Sequence, residues 1–260
     1  MTHTVGIVVP TLGKRPEFLR QCLESIRSAG QAHVVLVAPP SVDLKSVFPS
    51  NLFDQALVDP GTGLAEAINL GAQSLPASVH FINWLGDDDV LTEGSITTAA
   101  RELEASTDAV MVFGSCDYID ASGEVVWKNK SGQWAVPLLR FGPDLIPQPG
   151  ALFRRAAFIK AGMLKAKYEW AFDFDLFIEL SKIGKLKFVD QTLAQFRWHP
   201  ESLSVEFRKK SVREASQVRV SHLPKLVQPI ALLWEYPVRQ ATLIAGKRVT
   251  SKANSKARTQ

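Results

Sequence analysis

The feature that most constrains this 260-residue chain is a short apolar run that ends in three consecutive acids. The run extends from Phe81 to Gly86, and Asp87, Asp88 and Asp89 follow it directly. Such a run is typical of one buried strand, and open α/β sheets bind ligands at the carboxyl ends of their strands. Three adjacent carboxylates repel one another, so a cation or hydrogen-bond donors must offset their charge. The alternative is an acidic surface turn in which an Asp caps the following helix.

Strands and helices alternate over the first half of the chain. Apolar runs predict strands over residues 5–9, 34–37, 56–58, 79–85 and 109–113, and apolar repeats predict helices over residues 16–29, 64–75 and 96–103. This alternation predicts an α/β fold with a largely parallel sheet flanked by helices. The later segments predict a hairpin over residues 118–127, a proline-rich loop over 137–149 that covers a site, a helix opened by Asp173, and short strands over 186–189 and 193–197.

The net charge of +4 conceals an asymmetry along the chain. Residues 205–260 contain 12 Lys and Arg against 3 Asp and Glu, a charge of +9, so residues 1–204 carry −5. This split predicts a body over residues 1–204 and a basic, helical C-terminal extension over residues 205–260, disordered from Thr250 onward. Such an extension is typical of contact with an anionic partner such as nucleic acid or a phospholipid surface. A basic face that only improves solubility is the alternative.

Cysteine usage and hydropathy indicate a cytoplasmic protein. Cys22 and Cys116 lie far apart and fit no metal or redox spacing, which favours buried thiols in a reducing compartment. The apolar run over residues 5–9 is too short for the core of a signal peptide. No apolar run approaches the length of about 18 residues that a membrane span requires. We therefore expect a cytoplasmic chain that its basic extension can attach peripherally to the inner face of the plasma membrane.

Common cofactor and catalytic motifs are absent from the sequence. Gly61-Thr62-Gly63 is only part of a dinucleotide-binding loop, because Glu66 stands where the third Gly belongs. The sequence contains no GxxxxGK[ST] loop and no nucleophile elbow, and its few His and Cys residues fit no usual zinc spacing. These absences favour chemistry based on carboxylates and a hard metal ion.

An ordered set of short motifs resembles the family 2 glycosyltransferases of the GT-A fold. The motifs are Val8-Val9-Pro10-Thr11, Asp59-Pro60-Gly61 with Ala67-Ile68-Asn69-Leu70-Gly71, Trp84 to Leu91 before Gly94, Asp173-Phe174-Asp175-Leu176-Phe177, and Phe196-Arg197-Trp198-His199 before Ser202 and Ser204. The similarity covers residues 5–204 and does not include the extension. It implies a Rossmann-like GT-A sheet and the transfer of a sugar from a nucleotide diphosphate donor to an acceptor hydroxyl, with inversion at the anomeric carbon.

The resemblance also implies how the donor end of the site is built. A divalent cation, Mn²⁺ or Mg²⁺, would stabilise the diphosphate leaving group on Asp87, Asp89 and His199. The implied nucleotide-sugar contacts are Pro10, Thr11, Arg15, Asp59, Asn69, Asp87 and Asp88. Gly86 stands where the family has an Asp, so which two of the three acids form the metal-binding DxD pair is open. Ala38-Pro39-Pro40 replaces a segment that commonly holds an acid facing the nucleobase, so the base is open too.

An inverting displacement needs a general base that takes the proton of the acceptor hydroxyl. The resemblance assigns this role to Asp173, with Asp175 as its neighbour, and the alternative is that Asp173 only caps its helix. The expected acceptor is a glycan or a lipid-linked acceptor of bacterial surface polysaccharide or glycolipid synthesis, and no nucleic acid partner is expected. A non-catalytic protein of the same fold, which binds an anionic surface through the extension, is the rival function. A nucleotidyltransferase is a third, but it would need a basic, glycine-rich loop after the first strand, and Gly13-Lys14-Arg15 is only a trace of one.

Overall fold

The computed structural model describes residues 4–42, 51–129, 131–198 and 207–257. The strands are β1 (Val5–Pro10), β2 (His33–Ala38), β3 (Gln55–Val58), β4 (Phe81–Trp84), β5 (Val90–Leu91), β6 (Ala109–Ile119), β7 (Val125–Trp127), β8 (Ala151–Arg154) and β9 (Lys185–Arg197). The α helices are α1 (Pro16–Ala29), α2 (Leu64–Ser74), α3 (Ser95–Glu104), α4 (Gly132–Leu138), α5 (Arg155–Lys160), α6 (Phe172–Ile183), α7 (Arg208–Ser221) and α8 (Leu232–Ala257). Short 3-10 helices cover Gln148–Gly150 and Gln228–Ile230.

The first half of the sheet is parallel. The strand order is β3-β2-β1-β4-β8-β6-β9-β5, with β7 paired to β6, and the pairs β3-β2, β2-β1 and β1-β4 are all parallel. Pro16 begins α1 at a position whose N–H needs no partner, and Leu19 and Leu23 are on its buried side. Because β1 and β4 are parallel neighbours, the chain after Pro10 and the chain before Asp87 leave the sheet at the same edge. The predicted α/β fold is confirmed.

The second half of the sheet mixes strand directions. β8 lies antiparallel between β4 and β6, and β6 pairs in parallel with the long strand β9. The two short strands predicted over 186–189 and 193–197 are one strand, whose register against β6 shifts next to Gly114. A Cβ on Gly114 would lie 2.4 Å from Leu193 and 2.5 Å from the carbonyl oxygen of Gln191, so glycine lets β9 pass without ending. The predicted hairpin is confirmed as β6 and β7, while α4 occupies the start of the predicted proline-rich loop.

Two apolar layers cover the two faces of the sheet. One layer is rich in aromatic rings, including Trp84, Phe153, Phe158 and Phe177, and the indole of Trp84 stacks on Phe153 at a centroid distance of 5.4 Å. The other layer is mainly aliphatic and packs α1 and α3 against the opposite face. Aromatic pairs of this kind contribute about 0.5 to 1.5 kcal/mol beyond the burial of their area. The layers hold β1 and β4 in place, and with them the residues at their carboxyl ends.

A buried ion pair joins the two helices of the C-terminal extension, and its arginine also contacts the body. Arg219 on α7 donates to both carboxylate oxygens of Glu235 on α8, at 2.6 and 2.8 Å, and each side chain is 2% exposed. The Arg219 guanidinium also donates to the carbonyl oxygen of Gly142 and lies 5.5 Å from the ring centroid of Phe174. Helix α8 continues to Ala257, where the sequence pattern predicts disorder. The extension is therefore a packed helical element over these residues.

Two further expectations concern the organisation of the chain. The boundary predicted after residue 204 falls within residues 199–206, outside the described residues, so the division into two domains stays a prediction. Among the helices of the described residues, none combines the length and the apolar character that a bilayer crossing requires.

Arg219→Met should leave the Glu235 carboxylate buried without its partner. Removing one member of a buried ion pair costs about 3 to 5 kcal/mol, so we expect the free energy of unfolding in urea to fall by about that amount. Arg20→Met is the control, because Arg20 pairs with Glu17 on the exposed side of α1, where such pairs contribute about 0.2 to 1 kcal/mol. Equal losses in the two variants would contradict an anchoring role for the buried pair.

Candidate active site

The carboxyl ends of β1 and β4 meet through a hydrogen bond between Thr11 and Asp87. The Thr11 hydroxyl donates to Asp87 Oδ2 at 2.6 Å and accepts a hydrogen bond from the backbone N–H of Gly13 at 3.0 Å. The backbone N–H of Leu85 donates to the carbonyl oxygen of Val8 at 2.9 Å, just before this contact. Thr11 and Asp87 are 76 positions apart, so the parallel pairing of β1 with β4 brings them together.

Arg15 lies between two of the three acids. One guanidinium nitrogen is 3.2 Å from Asp87 Oδ1, and another is 3.2 Å from Asp88 Oδ2. Burial raises the pKa of Asp87 above its ordinary value, the hydrogen bond from Thr11 and the charge of Arg15 oppose this rise, and the charge of Asp88 adds to it. A cation held between two carboxylates offsets their repulsion. The structure thus brings Thr11, Arg15, Asp87 and Asp88 together.

Asp89 contacts a different partner. It is 5% exposed, and its Oδ1 accepts a hydrogen bond from the backbone N–H of Arg197 at 3.1 Å. The buried guanidinium of Arg197 donates to the carbonyl oxygen of Asp88 at 2.9 Å and to Gln21 Oε1 at 2.8 Å. Burial raises the pKa of Asp89 well above its ordinary value, and repulsion by Asp88 adds to the rise. Asp89 therefore joins the end of β9 to the acidic turn, whereas Asp87 and Asp88 contact Arg15.

Gly86 makes room for this arrangement of carboxylates. A Cβ at this position would lie 3.0 Å from Asp88 Oδ1 and 3.1 Å from Asp89 Oδ2, which is closer than ordinary van der Waals contact. The N–H of Asp89 closes the turn by donating to the carbonyl oxygen of Gly86 at 3.1 Å. An acid at this position would add both a crowded side chain and a fourth negative charge. An acid in place of Gly86 would therefore meet both steric crowding and electrostatic repulsion.

The other predicted donor residues lie in separate settings. Asp59 follows β3, at the same edge of the sheet, and its carboxylate accepts a hydrogen bond from the N–H of Gly61 at 2.9 Å. Asn69 is buried on α2, and its amide bonds to the backbone of Leu164 at 2.8 and 3.1 Å. Asn69 therefore fastens the chain around Leu164 to α2. His199 lies outside the described residues.

Asp173 is a half-buried acid in the first turn of α6. The helix begins at Phe172 with Ala171 in the capping position, so the alternative in which Asp173 caps the helix is wrong. Its Oδ1 accepts a hydrogen bond from the N–H of Phe174 at 2.8 Å. Burial raises the pKa of Asp173 to about 6 against the lowering effect of this bond, and the charge of Glu214 adds to the rise. Such a group is largely ionised at neutral pH and can accept a proton.

A second carboxyl group, that of Asp144, interacts with Asp173. Asp144 lies in the loop after α4, and its Oδ1 accepts a hydrogen bond from the N–H of Ile146 at 3.2 Å. Burial raises the pKa of Asp144 well above its ordinary value, repulsion by Asp173 adds to the rise, and Arg219 opposes it. Sequence reasoning missed this acid, although it predicted that the surrounding proline-rich loop covers a site.

Glu214 on the C-terminal extension holds the backbone that leads into α6. Its carboxylate accepts hydrogen bonds from the N–H groups of Glu169, Trp170 and Ala171, at 3.1, 2.6 and 2.7 Å. N–H groups at the start of a helix have no partner within it, and a carboxylate there is also favoured by the helix dipole. Glu214 therefore helps to position Asp173. No local pattern could have identified it, since the contacts span at least 43 positions of sequence.

Asp175 belongs to a cluster of balanced charges. Its carboxylate lies 2.9 Å from His222 Nε2 and 2.8 Å from Lys165 Nζ, while Glu179 pairs with Lys165 and Lys182. Burial alone would raise the pKa of Asp175, but the hydrogen bonds from His222 and Lys165 hold it below its ordinary value. The ligand atoms of Asp175, Glu179 and His222 lie within 4.8 Å of one another, and the two lysines already offset the carboxylate charge. The cluster joins α6 to α7.

Comparison with solved structures identifies the fold of this site. No protein-family model matches the sequence, and no curated protein matches it. The mannosyltransferase PcManGT from Pyrobaculum calidifontis, in complex with GDP-Man and Mn²⁺, is 14% identical with a TM-score of 0.65, over 100% of this chain and 81% of that chain. TarS 1–349 from S. aureus, in complex with UDP-GlcNAc, is 13% identical with a TM-score of 0.64, over 88% of this chain and 70% of that chain. The chain shares their fold.

This likeness confirms the predicted fold class at the level of architecture. The mixed sheet flanked by helices is the one found in solved glycosyltransferases. In another TarS structure, the similarity covers 88% of this chain but only 42% of that chain. The chain therefore corresponds to less than half of that longer protein.

Glu214→Ala should loosen the segment that leads into α6. Three N–H groups lose a charged acceptor, and hydrogen bonds to charged groups contribute about 1.5 to 3 kcal/mol, so we expect the free energy of unfolding to fall by about 2 to 3 kcal/mol. Arg213→Ala is the control, because Arg213 is exposed on the same helix and its loss should change stability by about 0.5 kcal/mol or less. Hydrogen exchange at residues 169–171 should become faster in Glu214→Ala alone. Unchanged exchange there would contradict the role of Glu214.

Proposed function

We propose that this chain is a metal-dependent, inverting glycosyltransferase that moves a sugar from a nucleotide diphosphate donor to an acceptor hydroxyl. The observation that carries the proposal is the set Thr11, Arg15, Asp87 and Asp88 at the carboxyl edge of a sheet whose fold solved glycosyltransferases share. Open α/β sheets bind nucleotides at this edge. Paired carboxylates beside a guanidinium suit a donor that brings both a cation and a diphosphate.

The proposed metal ligands are Asp87 and Asp88. Carboxylate oxygens are the ligands that Mn²⁺ and Mg²⁺ prefer, so the residues fit such an ion. When bound, the ion would offset the charge that develops on the diphosphate leaving group. Asp89 suits this role less, because it is buried and already accepts the N–H of Arg197. His199 remains a proposed third ligand outside the described residues.

Arg15 and Thr11 are the proposed phosphate and ribose side of the donor site. A guanidinium binds the oxygens of a phosphate in the same bidentate manner in which it binds the oxygens of a carboxylate. Arg15, which contacts Asp87 and Asp88, can therefore share its donors with the diphosphate of a bound nucleotide. Pro10 and Thr11 would line the pocket at the end of β1, and Asp59 at the end of β3 would extend it. Asn69 would support the site indirectly, because its hydrogen bonds to the backbone of Leu164 fasten that segment to α2.

Asp173 is the proposed general base. A base must be ionised at the working pH and remain basic enough to take the proton of the acceptor hydroxyl as its oxygen attacks. A pKa of about 6 meets both requirements near neutral pH. Asp175 is a poorer choice, because its carboxylate is engaged by His222 and Lys165. The charge of Glu214 raises the pKa of Asp173, and the charge of Asp173 in turn raises the pKa of Asp144.

The proposed acceptor is a glycan or a lipid-linked acceptor of surface polysaccharide or glycolipid synthesis, used at the cytoplasmic face of the membrane. The rival proposal is a non-catalytic protein of the same fold that binds an anionic surface through its extension. The two differ in one property that can be measured: only the enzyme releases a nucleotide and forms a glycoside in the presence of donor and metal.

A thermal-shift panel of UDP-, GDP-, TDP- and CMP-sugars, with and without Mn²⁺, tests the proposal. A ligand at 100 times its Kd adds about 2.7 kcal/mol to stability, so one diphosphate donor should raise Tm by several degrees, and only with the metal. Transfer from that donor would then exclude the non-catalytic rival. The absence of a shift with every donor would contradict the proposed function.

Two variants of the acidic turn sharpen this panel. Asp88→Asn should remove the metal-dependent shift, because one carboxylate ligand becomes an amide. Asp89→Asn should keep it, because the amide oxygen can still accept the N–H of Arg197 and a buried charge is lost. Loss of the metal-dependent shift in Asp89→Asn but not in Asp88→Asn would indicate that Asp89, and not Asp88, is a metal ligand.

Asp173→Asn should keep the donor shift and lose transfer by about 10² to 10⁴-fold, the usual contribution of a general base. The pKa of Asp173 is raised by folding, so its contribution to stability falls as pH rises from about 4 to 6. The neutral amide avoids this loss, and we expect the variant to unfold at neutral pH no more easily than the wild type. Transfer at the wild-type rate by the folded variant would exclude Asp173 as the base.

The pH profile of kcat/KM provides the control for this assignment. Its acid limb should lie near pH 6, where Asp173 ionises. Glu214→Gln removes a negative charge that raises this pKa, so the limb should move to lower pH, while Arg213→Ala should leave it in place. If Glu214→Gln leaves the acid limb of the profile at the same pH, the group that titrates there is not Asp173.

A further inference from the structure

An exposed apolar surface joins a helix of the body to the C-terminal extension. Trp134 and Leu138 are exposed at i and i+4 on one side of α4, and Phe141 is exposed three residues after the helix ends. Around the start of α8, the exposed apolar residues of the extension are Leu226, Ile230, Leu233 and Tyr236, and Leu226 and Leu233 are 93% and 80% exposed. The rings of Phe141 and Trp234 meet edge to face at 6.1 Å and connect the two groups. We call these residues the α4/α8 surface.

The charge around the α4/α8 surface is positive. Residues 223–257 contain six Lys and Arg and a single acid, Glu235, which is buried against Arg219. Lys225, Lys247 and Arg248 are exposed, and Arg140 adds an exposed cation between Leu138 and Phe141. Residues 223–257 therefore carry a net positive charge, and Lys225 and Arg140 lie next in sequence to Leu226 and Phe141 of the surface.

We propose that the α4/α8 surface docks onto an anionic lipid bilayer. Aromatic and aliphatic side chains enter the boundary between head groups and acyl chains, while Lys and Arg contact anionic head groups. A second copy of the chain fits this surface less well, because a two-fold contact would set the same cations against one another. The extension alone would not form this surface, since Trp134, Leu138 and Phe141 belong to the body.

Docking through this surface would bring the candidate acceptor side of the site close to the bilayer. Phe141 precedes Asp144 by three residues, and Arg219 ties the intervening Gly142 to Glu235 of α8. Asp144 in turn interacts with Asp173. The substrate class that follows is an acceptor whose hydroxyl lies at the level of lipid head groups. This last step rests on the proposed function, whereas the docking itself does not.

Sedimentation of the full chain with vesicles tests the docking. The wild type should bind vesicles of phosphatidylcholine with phosphatidylglycerol, bind phosphatidylcholine alone much more weakly, and lose binding as salt is added. Trp134→Ser/Leu138→Ser in the body and Leu226→Ser/Leu233→Ser in the extension should each lower the partition coefficient by about tenfold or more, since burying one such side chain contributes on the order of tenfold. Ile159→Ser is the matched control, because Ile159 is 55% exposed on α5, a helix that contributes no residue to this surface, and its loss should leave binding unchanged.

A fluorescent label reports the same contact without removing it. Both native cysteines are buried, so Leu138→Cys and Ile159→Cys each provide one accessible thiol for an environment-sensitive dye. On anionic vesicles, the emission maximum of the dye at position 138 should shift to shorter wavelength. The emission maximum of the dye at position 159 should stay unchanged. Equal shifts at both positions, equal loss of binding by the Ile159→Ser control, or no binding by the wild type would overturn the docking. A dimer in solution that the Trp134 and Leu233 variants convert to a monomer would assign the surface to a second copy and overturn it as well.

These outcomes are independent of the donor-binding panel. Vesicle binding without any donor shift would support the docking and contradict the glycosyltransferase. A donor shift without vesicle binding would do the reverse. The two proposals can therefore fail separately.

Discussion

Repulsion among Asp87, Asp88 and Asp89 is the constraint on which the rest of the site depends. Three carboxylates in one turn are stable only if nearby donors and cations offset their charge. Thr11 donates a hydrogen bond to Asp87, and Arg15 forms ion pairs with Asp87 and Asp88. The backbone N–H of Arg197 donates a hydrogen bond to Asp89. The turn is thereby connected to the end of β1, the start of α1 and the end of β9. The contacts that offset the charge of the turn therefore also fix the geometry of the strand ends around it.

The division of the three acids has a chemical consequence. Asp87 and Asp88 lie beside a guanidinium that a diphosphate can share, whereas Asp89 is enclosed by the end of β9. The glycine at position 86 belongs to the same arrangement, because a side chain there would crowd Asp88 and Asp89. The turn can therefore present two carboxylates at the edge of the sheet without an acid at position 86. We place the proposed metal on these two acids for that reason.

The C-terminal extension is part of the candidate site rather than an appendage. Glu214 satisfies the N–H groups before α6, Arg219 joins Gly142 to Glu235, and His222 bonds to Asp175. The helix that carries Asp173 is thus held by the body at one side and by α7 at the other. The same packing brings the exposed side chains of α8 beside those that follow α4. Charge imbalance along the sequence indicated a separate function for the extension, while its buried contacts show a structural one.

Sequence patterns predicted β1, α1, β2, α2 and the acidic turn correctly, because the period of buried side chains is a local property of each strand or helix. The same patterns divided β9 in two, since its continuity depends on how closely it passes Gly114. They left open whether Asp173 caps its helix, and the structure places Ala171 in that position. Sequence reasoning missed Glu214 and Asp144 because their partners lie on other elements of the fold.

The sequence by itself determined that three acids end a buried strand, that strands and helices alternate, and that positive charge collects after residue 204. Only the tertiary structure decided which acid contacts Arg15, which one is buried, and which carboxyl groups surround Asp173. The physical reason is the range of the forces involved. The hydrophobic periodicity of a strand or helix depends on residues that are close in sequence. Hydrogen bonds and ion pairs depend on distances of a few ångströms between residues that can be far apart in sequence. Contacts such as Thr11 with Asp87 and Asp89 with Arg197, 76 and 108 positions apart, exist only once the sheet has been ordered.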